Sequence, residues 1–214
     1  MSAITHILRS RIVAIIRGAN AAEAIDIAQA LHSGGIDLIE VTMNSPNAIA
    51  TITTLRKRLG ETVVIGAGTV LDAATAEQVI EAGAEFVLSP VTDVGVIEAT
   101  KKKGAVSVPG AFTPSEIVRA FSMGGDIVKV FPARFGPDYI RDILAPLPDL
   151  LLMPTGGITI DNISGFQKAG AVSFGVGSSL VNMKDKLNDR WLDSISKHAK
   201  QFFDAIQHSG NFPQ

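Results

Sequence analysis

Residues 122–133 read SMGGDIVKVFPA, the helix-to-strand junction that repeats along the chain. A helical stretch stops at Gly124-Gly125, Asp126 opens a short apolar run, and the run ends at Phe131-Pro132. Glycine just past a helix adopts the left-handed conformation cheaply, which makes it the common terminator. The same stop recurs as HSGG at 32–35, EAGA at 81–84, KKGA at 102–105 and KAGA at 168–171. IDLIEVT, EFVLSP, VSVPG, DIVKVF and VSFGVG follow the five stops. RIVAIIR, TVVIGAG and LLLMPTGG fit the same role, giving eight strand-like runs. Ser45-Pro46, Thr92-Asp93, Thr113-Pro114-Ser115-Glu116 and Thr159-Ile160-Asp161 carry the composition of helix starts.

Strands that are apolar almost throughout, alternating with helices, predict a parallel sheet covered on both faces. A doubly wound open sheet competes with this reading. The even repeat to eight units, with no GxGxxG after the first strand, favours a closed (β/α)8 TIM barrel occupying residues 1–214 as a single domain. The 214 residues are 46% hydrophobic and 19% charged, enough apolar material for one continuous core.

The net charge of -2 is interspersed, and KKK at 101–103 reads as a solvated helix end, so nucleic acid is not an expected partner. The apolar run at the N-terminus spans five residues between Arg11 and Arg17, too short for a secretory or membrane segment. A cytoplasmic protein is expected. The absence of cysteine removes disulfides and thiolate metal sites. None of His6, His32, His198 and His208 falls at a strand end, so metal chemistry is disfavoured and no cofactor is expected.

In a barrel of this kind the active groups stand at the C-terminal ends of the strands. Those ends carry Arg17, Glu40 to Asn44, Gly66 to Thr69, Ser89-Pro90, Pro109-Gly110, Lys129 to Pro132, Thr155-Gly156-Gly157 and Gly175 to Ser178. Alternation puts Glu40, Thr42 and Asn44 on one strand face, and Ile127, Lys129 and Phe131 on one face of another. If those faces line the barrel, a carboxylate and an amine share one confined space. A buried salt bridge would place them there too, although such pairs stabilise poorly. The small and polar residues gathered at the same rim favour a site. Burial lowers a lysine pKa and frees the amine to attack a carbonyl, while an ionised Glu40 pushes the other way.

Gly156-Gly157 and Gly175-Val176-Gly177-Ser178 end the last two strands, the second entering a short helical stretch, SSLVNM. Bare backbone beside a helix start suits a phosphate, and barrels often use these two loops for it. Arg17 ends the neighbouring first strand and can reach the phosphate or a substrate carboxylate.

IEVTMNSP, VIGAGTVLD, FVLSPVTD, VPGAFTPSE, DIVKVFPA, PTGGI and FGVGSSLV occur in order across residues 12–181. This set resembles the bacterial class I aldolases of 2-keto-3-deoxy-6-phosphogluconate and 4-hydroxy-2-oxoglutarate. The resemblance implies that Lys129 forms the Schiff base and Glu40 moves protons. It places Thr69 near the pyruvyl carboxylate, packs Pro90 and Phe131 around it, and gives the phosphate to Gly156, Gly157, Gly177 and Ser178. It further implies a phosphorylated keto sugar acid as substrate, cleaved to pyruvate and glyceraldehyde 3-phosphate, and a homotrimer. Cleavage of 4-hydroxy-2-oxoglutarate to pyruvate and glyoxylate would be a second activity. Asn44 stands where many gluconate-type members have arginine, and AIIRG places Arg17 after the first strand; both features resemble the 6-phosphogalactonate aldolases. A phosphosugar isomerase or epimerase, or a silent sugar-phosphate binder, would share the glycine pairs.

Overall fold

The computed structural model describes residues 2–184 and 189–207. His208 and the last residues of the expected domain lie outside that range. All eight expected strand positions are present: β1 (Ile12–Ile16), β2 (Leu38–Thr42), β3 (Val64–Gly68), β4 (Phe86–Leu88), β5 (Val106–Val108) continued by β6 (Gly110–Ala111), β7 (Val128–Val130), β8 (Leu152–Pro154) and β9 (Phe174–Val176). Two segments occupy the fifth position because Pro109, lacking an N–H, interrupts the ladder. Every pairing is parallel, in the order β5-β4-β3-β2-β1-β9 and β6-β7-β8. The Thr155 to Gly175 bridge joins β8 to β9, and the Lys129 amide donates to Pro109 O at 2.9 Å, so the sheet closes on itself as a TIM barrel.

The helices run α1 (Ala3–Ser10), α2 (Ala21–Ser33), α3 (Ala48–Leu59), α4 (Ala73–Glu81), α5 (Val94–Lys102), α6 (Pro114–Ser122), α7 (Pro137–Leu144), α8 (Ile160–Lys168) and α9 (Asp189–Gln207). Each of the five stops places a glycine at positive φ: Gly35, Gly83, Gly104, Gly124 and Gly170. Asp93 accepts the Val96 amide, and Thr113 forms a capping box with Glu116, as the start signals predict. Ser45 differs. The cap of α3 is Asn47, in the left-handed conformation and without a side-chain cap bond.

The strands divide their apolar residues between two cores. Outward residues such as Ile39, Val41, Val128 and Val130 pack against the helices, while Val13, Leu38, Phe86, Leu88, Val108, Ile127 and Met153 fill the lumen. Ile7 of α1, fully buried, joins the lumen cluster, so α1 plugs the barrel floor. At that end Asp37 pairs with His6 and Asp126 with Lys101. Helix α9 buries Trp191, Ile195, Ala199, Phe202 and Ile206, the packing role its spacing predicts. Among the described residues no helix is long and apolar enough to cross a membrane.

Candidate active site

Strand polarity directs Glu40 and Lys129 into the lumen above the apolar filling. Both are buried, at 1% and 5% exposure. The register aligns Glu40 with Ile15 and Gly66, and Lys129 with Gly110 and Met153. Room for the carboxylate comes from β3, which reads VIGAG. A Cβ on Gly68 would overlap Glu40 Oε1, and one on Gly66 would overlap the Phe86 ring. Gly68→Ala is therefore expected to displace Glu40 and to destabilise the fold by about 1–3 kcal/mol, the usual range for overpacking. Thermal unfolding and a turnover assay would check both effects together.

The buried salt bridge considered from the sequence does not form. No ion pair or hydrogen bond joins Lys129 Nζ to Glu40 among the described residues, and Glu40 Oε2 meets no protein donor. Each group instead feels the other through space. Burial pushes the Lys129 pKa down; Glu40 opposes this and Arg17 adds to it. Burial pushes the Glu40 pKa up, opposed by the charges of Lys129 and Arg17. Desolvation prevails on both sides, favouring a neutral amine beside a protonated carboxyl. The Phe131 ring lies 5.2 Å from Lys129 Nζ, covering the amine with apolar surface.

Above the pair opens a cavity of about 730 Å³ at the C-terminal rim. Arg17, Thr69, Pro90, Lys129, Phe131, Gly156, Gly157, Gly177 and Ser178 all line it. Glu40 lies outside the lining, beneath the Gly68 backbone. Thr69 holds φ at 60°, a left-handed conformation that costs a non-glycine residue energy and is found disproportionately at functional sites. Gly156 and Gly157 have φ of 82° and 91°, and the space where Gly157 or Gly177 would carry a Cβ is empty. Backbone is thus open to a ligand on the wall formed by the last two strands. The short helix expected from SSLVNM is a single turn, in which the Leu180 and Val181 amides both donate to Gly177 O at 2.9 Å.

Asn182 and Lys184, which line the same cavity, were missed by sequence reasoning, and Thr155, named there at the rim, was given no role. Thr155 follows β8 directly and belongs to the rim by the rule applied to the other strands. Asn182 and Lys184 come after a turn, where strand periodicity carries no signal. Arg17 Nη1 donates to Asn44 Oδ1 at 2.9 Å, so the two residues whose sequence context resembles the 6-phosphogalactonate aldolases form one unit.

A closed parallel barrel with a buried lysine and carboxyl at its C-terminal rim, under a cavity walled by open backbone, defines a barrel enzyme suited to carbonyl chemistry. The chain matches the KDPG and KHG aldolase family over residues 4–197 and belongs to that family. It is an aldolase, a carbon–carbon lyase. Over 171 residues it is 39% identical to a probable 2-dehydro-3-deoxy-6-phosphogalactonate aldolase of Rhizobium meliloti, covering 79% of this chain and 81% of that one. It is 34% identical over 180 residues to the 2-dehydro-3-deoxy-phosphogluconate aldolase of Pseudoalteromonas atlantica, covering 83% of each. The crystal structure of the KDPG aldolase of Legionella pneumophila, with pyruvate captured at low pH as a covalent carbinolamine intermediate, superposes with a TM-score of 0.79 at 28% identity, covering 89% of this chain and 92% of that one.

Proposed function

We propose that the protein is a Schiff-base aldolase that cleaves 2-keto-3-deoxy-6-phosphogluconate to pyruvate and glyceraldehyde 3-phosphate, with Lys129 as nucleophile and Glu40 as acid and base. The observation that carries this reading is the desolvated Lys129 amine at the floor of the rim cavity, with Glu40 buried behind it. The neutral amine attacks the C2 carbonyl carbon, and the carbinolamine hydroxyl leaves as water with the proton of the Glu40 carboxyl, which gives a protonated Schiff base and leaves Glu40 ionised. The C3–C4 bond then breaks. Its electron pair flows toward the iminium nitrogen to form an enamine, and the C4 hydroxyl proton passes to Glu40, directly or through water. Glyceraldehyde 3-phosphate leaves, C3 is reprotonated, and hydrolysis releases pyruvate and the free amine.

Thr69 and Arg17 are assigned to the pyruvyl end and its carboxylate, with Pro90 and Phe131 packing around it. Gly156, Gly157, Gly177 and Ser178 are assigned to the phosphate. The same chemistry would split 4-hydroxy-2-oxoglutarate into pyruvate and glyoxylate without using the phosphate wall. A cytoplasmic homotrimer completes the proposal. Exposed Val94 on α5 and exposed Val118 and Phe121 on α6 support it by offering apolar surface for a subunit interface.

A second reading takes the 6-phosphogalactonate epimer as substrate. The Arg17 to Asn44 hydrogen bond and the 39% identical relative favour it. Pyruvate release from the two phosphorylated epimers by purified protein separates the readings, the faster epimer being the substrate. Equal rates would exclude strict stereospecificity, and no release from either would overturn both readings.

A further inference from the structure

The turn that carries Arg17 lies beyond the reach of the sheet. The β1 to β2 ladder ends at the Ile16 and Val41 pair, so residues 17 and 18 receive no strand hydrogen bonds from β2. Gly18 follows with φ of 83°, has no side chain and would meet nothing within 4 Å if it had a Cβ. Gly18 itself contributes no packing, while the next residue, Ala19, is buried in the outer core and anchors the far side of the turn. Two cross-links to the loop after β2 fix its near side. Arg17 Nη1 donates to Asn44 Oδ1 at 2.9 Å, and the Gly18 amide donates to Ser45 Oγ at 2.8 Å. The first link is exposed and joins two exposed side chains. The second is anchored in the core. Ser45 is buried, its Oγ lies 3.1 Å from Oγ1 of fully buried Thr42, and its amide donates to Thr42 O at 2.9 Å.

Ser45 sits where a helix start would use it. Its hydroxyl is directed away from α3, which begins on an uncapped, left-handed Asn47. A Ser-to-Ala change at a helix cap typically weakens a helix by about 1 kcal/mol. Here the hydroxyl that could offer such a cap holds the neighbouring turn. Its orientation is accounted for by what the turn carries rather than by local helix stability.

We infer that Ser45 is a positioning residue: by holding the Gly18 amide it fixes the Arg17 guanidinium at the mouth of the cavity, in register with Asn44. This rests on the proposal that Arg17 binds substrate. The chain of contact runs from the buried Thr42, two residues beyond Glu40 on the same strand face, through Ser45 and Gly18 to Arg17. The orientation of the cation is thereby tied to the strand that carries the proton-transfer carboxyl. A flexible arginine loses affinity when it must be ordered on binding, and a pre-set one does not.

Ser45→Ala, Arg17→Gln and their combination, assayed for kcat and KM with the phosphorylated substrate, test this. Ser45→Ala is expected to raise KM by about three- to tenfold, the scale of a neutral hydrogen bond, with kcat nearly unchanged. Ser45→Thr, which keeps the oxygen, should restore KM. In the Arg17→Gln background Ser45→Ala should add almost nothing, because the two changes remove one interaction. Additive losses, a fall in kcat with KM unchanged, or a Ser45→Ala protein that does not fold would each show Ser45 to be a purely structural residue and overturn the inference. Gly18 amide exchange and the Arg17 guanidinium signal, read by NMR in ligand-free protein, decide the matter even if the substrate assignment fails. Ser45→Ala should speed the exchange and broaden the signal; unchanged spectra would contradict the clamp, while absent turnover in the wild type would count against the proposed function alone.

Discussion

Lys129→Met is expected to abolish cleavage while leaving the barrel intact and at least as stable as the wild type. Loss of a covalent nucleophile lowers kcat by about a millionfold in well-studied hydrolases, and a fall of several orders of magnitude is predicted here. Stability should move the other way. The folded Lys129 pKa lies below its ordinary value of 10.5 because burial disfavours the charged amine. A lowered pKa means that the unfolded chain binds more protons between the folded and unfolded values, so this group's contribution to stability rises with pH across that window. It is most favourable above about 10.5, the unfolded value, and is lost as pH falls through the folded pKa. Methionine removes the cost. Replacing a buried polar group that has no bonded partner with apolar volume removes its desolvation cost, so a gain in stability is expected. Denaturant unfolding at several pH values should show the advantage of Lys129→Met at neutral pH shrinking as pH approaches 10.5.

Glu40→Gln is expected to slow turnover by about a hundredfold to ten-thousandfold, the range for a positioned acid–base group, without preventing attachment of pyruvate to Lys129. The isosteric amide preserves the fit over Gly68 while removing the proton that must reach C3 and return. Here the linkage has the opposite sign. Burial raises the Glu40 pKa above 4.5, so its contribution to stability is present below that value and is lost as pH rises through the folded pKa. Glu40→Gln should therefore gain stability relative to the wild type as pH increases above about 4.5. Single-turnover kinetics, separating adduct formation from pyruvate release, would show the defect confined to proton transfer.

The barrel was legible because its signals are local and repeated. Five glycine stops and eight apolar runs recur at positions that strand and helix geometry demand. Alternation placed Glu40 with Thr42, and Lys129 with Ile127 and Phe131, on shared strand faces; that these faces line the lumen is what the structure adds. The split at Pro109 was equally open to reading, since proline cannot donate to a ladder. What sequence could not supply were relations across strands. Gly66 and Gly68 read as small rim residues, yet their absent side chains are what accommodate Phe86 and Glu40 from the neighbouring strands. Ser45 read as a helix start because Ser-Pro is a local signal, whereas its actual partner, the Gly18 amide, lies 27 positions away. Lys184 reaches the cavity only through the course of the turn after Ser178, which no periodicity encodes.

Borohydride reduction of the wild-type protein in the presence of pyruvate, followed by peptide mapping, tests the central assignment most directly. The predicted result is a single reduced pyruvyl adduct on Lys129. No adduct, or one carried by another amine such as Lys184, would contradict it.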